Sequence, residues 1–214
     1  ASNISLGSGG NNSVTLGAGS GGFTTFNMAD VTNSTATDLT VSTILTTIGS
    51  DASGLIKAGA GTMTLTAANA YTGATTINAG RLVYQNTYAS PSHVIAAGAI
   101  LEFNLANAMD GAIATFSGGG TLVKSGIGPL YWSRTAATFA LGAGSLIDVQ
   151  GGTFVGGDSA NEVWTNNLSS LNIATGAIFS GVEANVRVDA LTGAGTIRSG
   201  YNGAGYANFT FGVN

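Results

Sequence analysis

Apolar and polar residues alternate in short runs along this chain. Ser13-Val14-Thr15-Leu16, Thr62-Met63-Thr64-Leu65-Thr66, Thr75-Thr76-Ile77-Asn78 and Ile100-Leu101-Glu102-Phe103 are examples. Thr121-Leu122-Val123-Lys124, Ser145-Leu146-Ile147-Asp148-Val149 and Asn185-Val186-Arg187-Val188 follow the same rule. Successive side chains of a strand point to opposite faces, so such runs predict half-buried strands. Glycine and asparagine punctuate the runs, and both tolerate the positive φ of tight turns. No long stretch has apolar residues at i, i+3, i+4 and i+7, so no amphipathic helix is predicted. Strands recurring roughly every 8–12 residues fit a sandwich, a barrel or a solenoid.

Internal similarity decides among these. Gly59-Ala60-Gly61-Thr62-Met63, Gly118-Gly119-Gly120-Thr121-Leu122 and Gly193-Ala194-Gly195-Thr196-Ile197 share one phrase. A second phrase, a glycine turn leading into an apolar strand, recurs at Ala79–Val83, Ala97–Leu101, Gly142–Ile147, Gly151–Val155 and Thr175–Phe179. Imperfect repeats of this length mark a solenoid, whose coils bury their faces by stacking on neighbours. The expectation is an all-β parallel β-helix, one domain over residues 1–214, of roughly ten coils with about 22 residues each and about 4.8 Å of rise. Met28–Asp51 and Ser159–Leu171 fit worst. The first is expected as a loop or a strand pair outside the coil, and the second as an insertion.

Composition narrows the class further. Of 214 residues, 34 are glycine, 2 proline and none cysteine, and 7% are charged. Disordered chains combine low hydrophobicity with high charge, whereas 44% of this chain is apolar. Without cysteine there is no disulfide framework or thiolate metal site. Six basic residues and a net charge of −4 exclude a phosphate-tracking groove, so nucleic acid is not an expected partner. The charge-free stretch Ala1–Ala29 is rich in Gly, Ser and Asn, so no membrane span or signal core is expected.

Candidate chemistry is sparse. His93, the sole histidine, lies beside Ser90 and Ser92, but no nucleophile elbow precedes it; a packed or solvent-facing histidine is the reading. Asp148, Asp158 and Glu162, with Arg134 one coil earlier, form the best carboxylate cluster for glycan cleavage, and turn residues explain them more simply. Gly151–Asp158 lacks the spacing of a glycine-rich calcium coil. No cofactor, metal or catalytic residue is therefore expected. Tyr131, Trp132 and Trp164 are candidates for glycan contact, with Tyr84, Tyr88, Tyr201 and Tyr206 behind them. Leu130 and Trp132 are expected to divide between inside and outside. The Thr62, Thr64, Thr66 array that an ice-binding face would need is not repeated on other coils.

Residues 55–82 carry a specific pattern. Lys57-x-Gly59-x-Gly61-Thr62-Met63-x-Leu65 is followed by Asn69-x-Tyr71-x-Gly73-x-Thr75-x-Ile77 and then Gly80-Arg81-Leu82. The segment resembles the passenger-associated transport repeat of autotransporters, with Met63 in place of the usual leucine. Leu122–Leu130 resembles the start of another copy and departs at Tyr131-Trp132-Ser133-Arg134. The resemblance implies a right-handed β-helical stalk of a secreted or cell-surface bacterial protein. In it Lys57, Gly59, Gly61, Thr62, Asn69, Tyr71, Gly73 and Gly80 serve the fold. Asn69 and Gly73 suit corners, and Tyr71 is expected to cap one with its hydroxyl outward. The expected role is a structural or adhesive stalk or fibre module rather than an enzyme, either self-associating or contacting a host or environmental surface. The alternative is a carbohydrate-binding or polysaccharide-degrading β-helix module. Strand-like phrases at both ends, Ala1–Leu6 and Phe209–Asn214, suggest a fragment or repeating unit of a longer array.

Overall fold

The computed structural model describes residues 2–5, 12–17, 22–132, 137–157, 163–199 and 208–214. These residues form strands joined by turns, with no helix among them. All strand pairs are parallel, in continuous register except for one shift between Thr37 and Leu39, and they build a β-solenoid with three faces. The first face is a nine-stranded sheet running from Ser2–Ile4 to Leu191–Gly193. A six-stranded sheet from Phe23–Asn27 to Ala137–Leu141 forms the second face. A five-stranded sheet from Met109–Asp110 to Thr196–Arg198 forms the third.

About seven turns separate Thr37–Val41 from Leu191–Gly193, fewer than the ten expected. Coil length is not the reason, since the seven steps from Leu39 to Leu191 cover 152 residues, about 22 each; the ladder takes up less of the chain, Ser2 pairing with Leu39, 37 residues on. Single coils vary: Leu65 pairs with Tyr84 and Tyr84 with Phe103, 19 residues apart in each case, whereas Lys124 pairs with Val149, 25 residues on. Met28–Asp51 is not outside the coil. Thr37–Val41 is a rung of the nine-stranded sheet, with Leu39 paired to Met63, and Ile44–Thr47 pairs with Ser13–Leu16 in a separate two-stranded sheet, while the bend over 31–36 lies outside the ladder. Of the expected insertion, Ser159–Glu162 lies outside the described residues. Val163 bridges to Thr138, and Ser170–Ile173 is a rung of the nine-stranded sheet.

In-register stacking turns the sequence alternation into columns. Met63, Leu82, Leu101, Leu122, Ile147 and Leu171 occupy successive rungs, and all are completely buried. Each contributes about 1.5–3 kcal/mol of apolar burial. Since a lone coil exposes both edges, this energy is realised only when neighbouring coils are stacked. Aromatic rings follow the same logic. Phe116 lies over Phe139 at 5.5 Å with an interplanar angle of 16°, and Phe154 over Phe179 at 5.5 Å and 12°. The rung spacing of about 4.8 Å brings in-register rings into this near-parallel contact.

A candidate functional surface and the corners beneath it

The residues that carry the repeat pattern make the corners and core of two consecutive coils. Lys57 is completely buried, and its Nζ donates to three carbonyls: Ala58 at 3.1 Å, Gly59 at 2.8 Å and Ala79 at 3.0 Å. The first two belong to its own corner and the third to the next coil, so one ammonium ties two rungs together. Gly59 has φ +73°, which turns the corner carbonyls toward the lysine. Burial pushes the Lys57 ammonium down to about 8, against the attraction of Asp38. Asp38 Oδ2 accepts the Thr62 N–H at 2.8 Å, and this bond chiefly holds its carboxyl below the usual range.

Asn69 staples the following corner. Its Oδ1 accepts from Leu45 N at 3.2 Å and its Nδ2 donates to Ala67 O at 2.8 Å. Gly73 lies so close to Ser53 and Ala52 of the preceding coil that a Cβ has no room. Gly80, at φ +67°, faces the carbonyls of Gly61, Ala60 and Gly59, and a Cβ would stand 2.5–2.6 Å from them. Gly61 is packed as closely, with Ala29 O 2.5 Å from where a Cβ would be.

Tyr71 corrects the expectation of an outward hydroxyl. The residue is completely buried, and its hydroxyl lies 2.6 Å from Tyr84 Oη and 2.7 Å from Thr75 Oγ1. Thr75 donates on to Ser90 Oγ at 2.9 Å, and Ser90 to Ser92 O at 3.1 Å. Inward placement is favourable because the core supplies partners for the oxygen while the ring is fully desolvated. Burial pushes the Tyr71 phenol up to about 12.

The lysine corner occurs twice. Lys124, also completely buried, donates to Ser125 O at 2.6 Å, Gly126 O at 3.0 Å and Gly151 O at 3.1 Å. Its glycine, Gly126, has φ +72°. The backbone pattern matches as well: Gly61 N donates to Met28 O and Gly128 N to Leu105 O, while Met28 N donates to Ala58 O and Leu105 N to Ser125 O. Lys57 lies on the six-stranded sheet and Lys124 on the nine-stranded sheet, so one motif closes two different corners of the triangular section.

The glycan-contact candidates are placed unfavourably for stacking on a sugar. Trp132 and Trp164 are buried, their indole N–H groups donating to Tyr88 Oη at 3.2 Å and Gly156 O at 2.7 Å. Leu130 and Trp132 both point inward, because residues two apart share a strand face. Tyr131, between them, is half-buried. Tyr84 and Tyr88 are buried too, while Tyr201 and Tyr206 lie outside the described residues.

His93 stands inside the core, stacked on Phe116 at 5.1 Å and edge-on to Tyr84 and Tyr88. Neither ring nitrogen has a hydrogen-bond partner, and burial pushes the imidazole down to about 3. It is a packed histidine without the base geometry of a nucleophile site. Of the carboxylate cluster, Asp158, Glu162 and Arg134 lie outside the described residues. Asp148 accepts from Gln150 Nε2 and Asn172 Nδ2, both at 2.7 Å. Among the described residues no group of three acidic or histidine side chains could hold a metal ion. No helix there is long and apolar enough to cross a membrane.

On the outward side of the nine-stranded sheet, polar side chains bond to one another across rungs, with Thr64 and Glu102 among them buried. Thr37 and Thr64 hydroxyls meet at 2.7 Å. Arg81 pairs with Glu102 at 2.5 Å, and Ser125 donates to the other Glu102 oxygen. Asp148, Asn172 and Thr192 continue the chain through Asn172 at 2.7 and 3.0 Å. These cross-rung bonds were not anticipated from the sequence. Their signal lay in the repeated glycine phrases, since placing Arg81-Leu82-Val83 beside Ile100-Leu101-Glu102 sets Arg81 diagonal to Glu102.

Comparison with known proteins agrees with the motif. Residues 55–83 match the passenger-associated transport repeat model, which extends the sequence reading by one residue. No curated protein and no solved structure matches the chain.

Proposed function

We propose that this chain is a rigid stalk segment in the exported passenger of a bacterial surface protein. The repeat match and the parallel solenoid fit an autotransporter passenger segment. One observation supports a mechanical role for it: the conspicuous repeat residues point into corners and core. Lys57 seals carbonyls, Asn69 staples a turn, Tyr71 fills the interior, and Gly73 and Gly80 allow coils to touch. A chain with one net negative charge per roughly fifty residues and no cysteine also suits secretion in an unfolded state, followed by rung-by-rung stacking outside.

The experiment inserts the segment between a signal peptide with a reporter and an outer-membrane translocator barrel. Protease-accessible reporter at the cell surface is expected, and it should fall when Gly80→Val blocks coil stacking. Equal display with the folded and the stacking-defective segment would contradict a role that depends on the solenoid.

A further inference from the structure

The six-stranded sheet turns one side outward, and the stalk role gives that side nothing to do. Leu55, Thr75, His93, Phe116 and Phe139 pair along the sheet and are completely buried, so the residues between them face out. In-register pairing lines these up as a column: Thr25, Ile56, Thr76, Val94, Ser117 and Ala140. Ser92, Thr115 and Thr138 form a shorter column beside it. Lys57 is the one Lys, Arg, Asp or Glu on the six strands, and it is buried in the core. The other two large sheets differ. The nine-stranded one carries Arg81, Glu102 and Asp148, and the five-stranded one Asp110 and Arg198.

Two features of this side select its partner. The first is unspent hydrogen bonding. On the nine-stranded sheet Thr37 bonds to Thr64 and Ser125 to Glu102, whereas the hydroxyls of both columns here make no hydrogen bond to any described residue. A hydroxyl donates and accepts, so hydroxyls complement one another, which acids or bases alone do not. The second is the order along the column. From Thr25 to Ser117 it reads hydroxyl, aliphatic, hydroxyl, aliphatic, hydroxyl, and it is symmetric about Thr76. A copy turned end for end and laid on this side therefore sets Thr76 against Thr76, Ile56 against Val94 and Thr25 against Ser117. Such a pattern is self-complementary, as a twofold interface requires. Charge agrees. Each copy carries a net charge of −4, and this side lets two copies meet without acids facing each other.

We propose that a second copy of this chain docks on the six-stranded sheet, face to face and antiparallel, about a twofold axis that passes opposite Thr76. The proposal names a partner for the stalk and rests on the stalk reading for where copies meet, since rods projecting from two facing surfaces run antiparallel. Size sets the strength. Six rungs of about 4.8 Å and strands of up to five residues at about 3.3 Å give a patch of roughly 29 by 16 Å, so two copies together cover about 900 Å². Stable complexes cover about 1,200–2,000 Å². A single pair is therefore weak, and many stalks on each surface supply the avidity.

The test is analytical ultracentrifugation of the purified chain from about 20 µM to about 1 mM. The weight-average mass should climb from monomer toward dimer, and added salt should not weaken the association, because no ion pair crosses the interface. Val94→Lys, at a position 39% exposed, should weaken association at least tenfold, while Ile127→Lys, at an 84% exposed corner, should leave it unchanged. The antiparallel register is tested by mixing: Ile56→Lys with Val94→Glu should associate at least fivefold more tightly than either variant alone, because residues 56 and 94 face each other across the axis. Amide NMR of the unsubstituted chain should show concentration-dependent shifts at Ile56, Thr76, Val94 and Ser117, a readout that needs no variant to fold. A monomer throughout, association that salt disperses, shifts confined to another face, or no gain on mixing would each overturn the proposal. The stalk reading stands or falls separately, on the surface-display measurement, which needs no second copy.

Discussion

Replacing Lys57 by methionine asks whether one ammonium holds two coils together. The substitution keeps the unbranched stem in its buried channel and removes only the charge and its donors. Three carbonyls, of Ala58, Gly59 and Ala79, then lose their partner. Hydrogen bonds to a charged group are worth about 1.5–3 kcal/mol each, so the gross loss is about 4.5–9 kcal/mol. Against it stands the relief of no longer burying a charge. Burial lowers the ammonium from 10.5 to about 8 on folding, which corresponds to roughly 3 kcal/mol. The net expectation is a destabilisation of about 1–6 kcal/mol, centred near 3. For a domain of this size that lowers the melting temperature by about 6–12 °C. Hydrogen exchange should localise the loss to Ala58–Gly61 and Asn78–Gly80, because a solenoid opens at its weakest rung. Calorimetry and exchange of Lys57→Met and Lys124→Met should therefore give parallel results at two different corners. A variant as stable as the parent, with unchanged exchange at Gly61 and Gly80, would refute the assignment of these lysines as corner seals.

Three further outcomes follow from the same structure. His93 titrates near 6.5 when unfolded and near 3 when folded, so the unfolded state binds the extra proton between those values. Stability should therefore fall as pH drops from about 6.5 to 3, by about 3–5 kcal/mol; His93→Phe should abolish that slope in acid-titration denaturation curves and gain about 1–2 kcal/mol at neutral pH by removing an unpaired buried N–H. Gly80→Ala should cost more than Gly98→Ala in urea unfolding by at least 1 kcal/mol: both have positive φ, but only Gly80 faces carbonyls, while Gly98 faces open space. Tyr84→Phe should lose about 1 kcal/mol by removing one of the two partners of the buried Tyr71 hydroxyl, which keeps Thr75, and an equal melting temperature would argue against that network.

Strand positions and the parallel solenoid were legible because period-2 alternation and repeated glycine phrases are local signals. Leu82, Leu101 and Leu122 align as soon as the phrases are superposed. Coil number was not, since the step from Ser2 to Leu39 takes 37 residues, and alternation does not report how much chain a single turn takes up. The inward Tyr71 was missed because its partners, Tyr84 and Ser90, become neighbours only after stacking. Sequence alone makes Trp132 and Trp164 candidates for glycan contact, yet both pack against Phe139. Their burial depends on three-dimensional register, and composition is silent about it. Lys57 shows the opposite case: its spacing to Gly59 and Gly61 identified the motif, while its chemistry emerged only when Ala79 of the next coil stood above it.

The central claim is a rigid, in-register stack, and a distance between two rungs tests it directly. Thr40, Thr64, Val83, Glu102, Val123, Asp148, Asn172 and Thr192 occupy one outward column, each paired with the next. Seven steps of about 4.8 Å place Thr40 and Thr192 about 34 Å apart. The chain has no native cysteine, so Thr40→Cys/Thr192→Cys can carry two spin labels without background. Pulsed dipolar spectroscopy should return one narrow distribution near that distance, widened only by the label arms. A broad distribution, or a distance below about 20 Å as folded-back sheets would give, would contradict the stacked solenoid and the stalk built on it.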